Sequence, residues 1–138
     1  MTITTQLLVD MGVYLNATYS SLYAGKYALG TNLFLSLMPE DPDVCMAVYE
    51  QAGVQPVITF GATQITQPAM QVITRHTSYE TGRVDAQEMF EIFVDIAEQT
   101  INSNTYHRIA PIASPAMYQR DNNNRVLFST NFSVMRVI

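Results

Sequence analysis

The sequence predicts an α+β fold, with a mixed, mostly antiparallel β-sheet packed against two α-helices. Three observations carry that prediction. Two segments place apolar residues at the three-and-four spacing of a helix face, and five apolar or alternating runs read as strands. Their order is helix, two strands, long loop, strand, helix, two strands. At 138 residues the chain suits a single domain spanning residues 1–138, long enough to bury a core without staples. No internal repeat interrupts the pattern.

The first helix is expected over residues 2–23, where Leu7, Leu8, Met11, Tyr14, Leu15, Thr18, Tyr19 and Leu22 share one face. Gly25 supplies its stop signal. Asp10 is the only charge in the segment, so even the far side is mild in polarity, and the helix is expected to pack on a sheet or on a neighbouring copy. "TNLFLSLM", residues 31–38, is short and apolar throughout, which predicts a strand buried on both faces. The turn "PEDPD" follows, its prolines barring ladder bonds, and "VCMAVYE", residues 44–50, is expected to return as the second strand of a hairpin.

Residues 51–67, "QAGVQPVITFGATQITQ", hold Gly53, Pro56 and Gly61 and no sustained period, so a long loop is expected, with local β-structure as the other reading. Its apolar members Val54, Val57, Ile58, Phe60 and Ile65 either cover the domain's own core or dock on a partner; Ile58 and Phe60 are candidate contacts between copies. "AMQVITRH", residues 69–76, is a third strand, and Thr77-Ser78 has the chemistry to cap a second helix over residues 79–101. There Ala86, Met89, Phe90, Phe93, Ile96, Ala97 and Ile101 occupy one half of the wheel. Asp85, Glu88, Glu91, Asp95 and Glu98 occupy the other, and with Glu80 they make six of the chain's twelve acids against a single Arg83. An acidic face of this kind is ordinarily a solvated surface; the sharper reading is that it meets or repels something charged. Residues 105–113 form a fourth strand, with Pro111 marking an edge or a bulge, and residues 125–137 a long fifth.

Composition narrows the function. Hydrophobic residues make up 48% and charged ones 14%, which excludes disorder and points to apolar surface shared with a partner, a second copy first of all. A net charge of −5 has the wrong sign for gripping phosphate backbones over a broad patch. No run reaches the roughly 18–20 apolar residues of a membrane span. The N-terminus lacks the basic start of a signal peptide, so the chain is expected to be made and kept in a cytosol, with no membrane partner. Cys45 is the only cysteine, so no internal disulfide forms, and the glycosylation triplets at Asn16 and Asn131 carry no meaning without secretion.

Catalytic and metal chemistry is hard to place. In "RDNNNRV", residues 120–126, an acid followed by asparagines begins like a calcium loop. The later positions then fail, with Arg125 for the fifth ligand, Val126 for the glycine and Phe132 for the bidentate glutamate. His76 and His107 have no second ligand at metal spacing. Ser78, His76 and Asp85 make a triad only on paper, without a nucleophile elbow to hold it. No phosphate loop exists around Lys26, and Asp41 and Asp43 sit in a proline turn. By elimination the chain reads as non-enzymatic, with no catalytic, metal-binding or cofactor-binding residues, and "RDNNNRV" as a hairpin turn.

Three stretches then carry a resemblance. "LGTNLFLSLMPEDPDVCMAVYEQAG", "QPAMQVITRHTSYETGRVDAQEMFEIFVDIAEQ" and "YQRDNNNRVLFSTNFSV" resemble the minor capsid proteins of tailed phages, in the family of the tail terminators. The matching positions are the turn Met38-Pro39-Glu40-Asp41-Pro42-Asp43, the strand from Pro68 to Arg75 entering a helix through Ser78-Tyr79, and the hairpin from Arg120-Asp121 through Arg125 to Asn131-Phe132. Asn124 stands where a glycine is usual, and asparagine tolerates the left-handed conformation such a turn needs.

The resemblance implies a tail-terminator-like fold and a homo-oligomeric ring, typically of six copies. That ring sits on the last ring of tail tube protein, stops its polymerisation and offers a joining surface to the head-tail connector or stopper protein. It also implies a place in the tail or neck of the virion, assembly in the host cytoplasm, and genomic DNA passing through the lumen without specific binding. Within that picture Asp121 and Arg125 pair either inside their turn or across a boundary between copies, and the acids of residues 79–101 either line the lumen or lie away from it. The competing classes are a small-ligand binder or enzyme, which requires a pocket of convergent polar groups, and another virion protein such as a head-tail adaptor or tube subunit.

Overall fold

The five expected strands become seven in the computed structural model, which describes residues 6–58 and 64–137. In chain order the elements are α1 (Leu7–Leu22), β1 (Leu33–Leu35), β2 (Cys45–Ile58), β3 (Gln64–His76), α2 (Tyr79–Val94), β4 (Ala97–Ile101), β5 (Asn104–Pro111), β6 (Ala116–Arg120) and β7 (Val126–Val137). The strands form one sheet in the order β1-β2-β3-β7-β5-β4, and β6 lies beside β7 in line with β5. Every pairing between these strands is antiparallel except β1 with β2, so the fold is α+β with a mixed sheet.

Both helices lie on one face of that sheet. Leu7, Met11, Leu15 and Tyr19, spaced by four, form the buried stripe of α1, while Leu22, expected on the same face, is 70% exposed. The helix ends as Ala24 and Gly25 turn left-handed (φ 54° and 71°), and the Gly25 N–H reaches back to the Tyr19 carbonyl at 2.8 Å. α2 buries Met89 and Phe93 against β7, with the Phe93 and Phe132 rings edge to face at 5.3 Å. The alternation of β7 supplies Val126, Phe128, Phe132 and Val134 to the same layer. The other sheet face carries rows of register partners: Cys45-Arg75-Leu127, Ala47-Ile73-Ser129 and Tyr49-Gln71-Asn131.

Four expectations need correction. The hairpin predicted for the first two strands is a parallel pair, Leu33 opposite Met46 and Leu35 opposite Val48, and β1 is only three residues long at the sheet's edge. Ser36 turns left-handed (φ 60°), and the chain runs back along the sheet through the two prolines before β2 sets out in the same direction. The predicted loop over residues 51–67 is largely strand, belonging to β2 and β3. Its period was hidden by two register shifts, between Gln51 and Val54 and between Val54 and Val57. Gly53 belongs to that irregularity: a Cβ there would lie 1.8 Å from the Gln67 carbonyl oxygen, so the close approach of the strands admits only glycine.

The second helix stops at Val94 rather than residue 101, and the remainder becomes β4. Asn102 and Ser103, both with positive φ (50° and 68°), form the two-residue turn from β4 into β5. Pro111 is the last residue of β5, beyond Arg108, where the register with β4 ends, so its missing N–H falls where β7 alone flanks the strand. Ser78 does occupy the N-cap of α2, yet its hydroxyl makes no capping bond; its backbone N–H donates instead to His76 Nδ1 at 3.0 Å.

Candidate functional site

The three stretches that carry the family resemblance converge on one end of the open sheet face. The chain between β1 and β2 crosses this end, and its carbonyls turn inward, where water cannot satisfy them all. Arg75, on β3 and 4% exposed, donates to four of them: Nη2 to Pro39 (2.7 Å), Glu40 (3.1 Å) and Pro42 (2.7 Å), and Nε to Asp43 (3.2 Å). A planar guanidinium with several fixed donors suits such a ring of acceptors better than an ammonium does. The first signature turn is therefore wrapped around the arginine of the second.

Arg125 closes the same junction from the third signature. It is also 4% exposed, and it pairs with Asp121 Oδ2 (2.7 Å), Glu40 Oε1 (2.8 Å) and Asp43 Oδ1 (3.3 Å) while donating to the Glu40 carbonyl (2.6 Å). The turn itself is tight. Asp121 Oδ1 accepts the N–H groups of Asn123 and Arg125, and Asn124 is left-handed at φ 61°, as its place in a glycine position requires. Asp121 and Arg125 are thus joined inside one copy's own turn, with the Arg125 head buried there. Beside them Met38, Tyr49, Ile73, Tyr118 and Leu127 line an open groove of about 510 Å³.

Burial opposes the charge on Asp121, but hydrogen bonds from the Arg125 backbone and side chain outweigh it and hold the carboxyl below its usual range. A folded pKa lower than the unfolded one contributes stability that is complete above the unfolded pKa and is lost as pH falls through the folded one. Urea midpoints measured from pH 7 down to 3 are therefore expected to drop below about pH 4. Asp121→Asn is expected to start lower and to flatten that drop; parallel curves for the two proteins would remove Asp121 from the account.

The acidic half of the second helix is broken up. Asp85 points inward, 1% exposed, accepting from the Tyr27 hydroxyl at 2.6 Å and pairing with Lys26, so it leaves the predicted face. Glu88 pairs with the same lysine at 2.9 Å. Burial works against the Lys26 charge, yet its bonds to Asp85 and Glu88 prevail and raise its pKa. Glu98 lies on β4, where it meets His107 Nδ1 at 2.7 Å. Glu91 and Asp95 stay exposed at the C-terminal end of α2. Of the apolar contact candidates, Ile58 is the last residue of β2 and Phe60 lies outside the described residues. His76 Nε2 stands 4.0 Å from Asp85, but its Nδ1 takes the Ser78 N–H rather than facing a hydroxyl nucleophile.

Two buried groups went unread in the sequence. Arg75 closes the motif that runs from Pro68, and a lone arginine in an apolar strand is the signal that marks it. Asp10 is the one charge in residues 2–23. It is fully buried and accepts from Asn102 (3.0 Å), Asn104 (2.9 Å) and the Tyr106 hydroxyl, tying α1 to the turn between β4 and β5.

The three motifs thus build a structural clasp around two buried arginines, Arg75 and Arg125. The chain is a member of the bacteriophage tail terminator protein family, whose sequence pattern matches residues 10–138. It is a structural protein of the virion tail and neck. A chain in the solved structure "Virion of native gene transfer agent (GTA) particle" is similar in fold, with a TM-score of 0.59 at 14% identity, covering 96% of this chain and 95% of that one. No curated protein matches it significantly in sequence.

Proposed function

We propose that copies of this chain close into a ring, six copies by the family expectation, at the head-proximal end of the tail. One surface of the ring caps the tail tube protein and stops its polymerisation; the other receives the head-tail connector or stopper protein. Membership of the tail terminator family over residues 10–138 carries this reading. The sheet supports it, because among the described residues β4 and β6 each have a neighbour on one side only, and unpaired edges are templates for another chain. Exposed residues 51–56 on β2, Val54 at 66%, add surface that a partner can cover. The net charge of −5 suits a lumen through which DNA passes without adsorbing.

Phage lacking the chain are expected to make overlong tails that do not join to heads. Tails of normal length beside heads that merely lack DNA would overturn termination and assign the chain to the connector side of the neck.

A further inference from the structure

The structure holds two unsatisfied surfaces about one helix apart. At the C-terminal ends of α1 and α2, Tyr14, Leu22, Tyr23, Glu91 and Asp95 line a cleft of about 200 Å³. It is apolar and aromatic on the α1 side and carries two carboxylates on the α2 side. Leu22 is 70% exposed at its rim, and among the described residues neither Glu91 nor Asp95 enters an ion pair.

The second surface is β6, every residue of which is exposed. Met117 is opposite Phe128 and Arg120 opposite Val126, with a register shift between Met117 and Gln119. In a regular strand, residues three apart point to opposite faces; the extra residue, Tyr118, brings Met117 and Arg120 onto the same one. Arg120 makes only long bonds to Asn124, at 3.3 and 3.4 Å, and no carboxylate pairs with it among the described residues. β6 lies by the N-terminal end of α2, where Tyr79 meets Phe128, whereas the cleft lies at the other end. At 1.5 Å per residue, the helix separates them by roughly 20 Å.

We infer that the occupant of the cleft is β6 of a second copy, with Arg120 between Glu91 and Asp95 and Met117 against Leu22 and Tyr23. The charges are opposite, each surface pairs an apolar group with a charged one, and the distance between them prevents one copy from satisfying both. Two different patches meeting head to tail make a heterologous contact, the kind that closes rings. The inference rests on the ring reading and adds to it the surfaces that form the ring.

The test is charge reversal followed by assembly on purified tail tubes, read by sedimentation and by native mass spectrometry of the released protein. Arg120→Glu and the double change Glu91→Arg with Asp95→Arg are each expected to weaken assembly at least tenfold, with melting temperatures close to wild type because all three residues are exposed. Combining the reversals is expected to restore rings. Reversed single-surface variants that assemble like wild type, or a combination that restores nothing, would overturn this interface while leaving the ring in place. Variants that form rings but no longer hold the tube would give the cleft to the tube protein and overturn it likewise. Wild-type protein that stays monomeric on tubes would overturn the ring and this contact together.

Discussion

Arg75→Ala is expected to destabilise the fold by about 3 kcal/mol. The guanidinium is buried and serves four carbonyls of one crossing segment, and alanine leaves those acceptors facing the sheet without donors. Bonds from a charged donor contribute roughly 1.5–3 kcal/mol each, and rehydration of a loosened segment recovers part of the total. Arg75→Lys is expected to recover less than half the loss, since one ammonium cannot span acceptors from Pro39 to Asp43. Arg75→Met keeps the apolar stem and removes only the donors. Urea unfolding separates these cases, and an alanine variant losing under about 1 kcal/mol would mean that the segment holds its path without Arg75.

Asp10→Ala should rank beside it, at about 3 kcal/mol, for the opposite electrostatic reason. Here an acceptor disappears from two buried donors, Asn104 and the Tyr106 hydroxyl, and from the exposed Asn102, and the bond between α1 and the β4–β5 turn goes with it. Burial and the bond to Asp10 push the Tyr106 hydroxyl's pKa above its ordinary value. Asp10→Asn keeps the shape and one oxygen and is expected to lose about half as much. Hydrogen exchange gives the more specific readout: with Asp10→Ala, amides of β4 and the first half of β5 are expected to lose protection before those of β3 and β7. Uniform loss across the sheet would show that the contact stabilises the fold without anchoring this corner.

The elements legible in the sequence are those whose packing is one-sided and regular. The stripes Leu7-Met11-Leu15-Tyr19 and Met89-Phe93 were readable because each helix covers a single sheet face. β7 was readable because its buried side chains alternate from Phe128 to Val134. The hairpin turn at residues 120–126 was legible through Asn124 and Asp121, whose local chemistry is the turn. Failure came where one pattern imitated another. "AEQTI" extends the helical spacing of Ile96 and Ile101, and only the Asn102-Ser103 turn, which takes its meaning from the strand after it, makes it β4. Bulges at residues 51–57 erased the two-residue period of β2, so Gly53 and Pro56 read as loop signals.

For the site, the motifs were legible but their meeting place was not. Residues 39–43, Arg75 and Arg125 lie far apart in sequence, and only the register Cys45-Arg75-Leu127 brings them to one end of the sheet. Charge counting also misplaced Asp85, because helical spacing assigns it to a face without weighing the inward pull of Tyr27 and Lys26. What remains acidic and exposed at the C-terminal end of that helix, Glu91 and Asp95, is a smaller surface than the sequence suggested and a more specific one.

A reconstruction of the virion neck decides whether this chain forms the terminating ring of a tail. A closed ring of copies of this chain is expected between the last ring of tube protein and the head connector, with β6 of each copy on the helix ends of the next. A single copy per particle, or copies placed away from the head-proximal end of the tail, would contradict it.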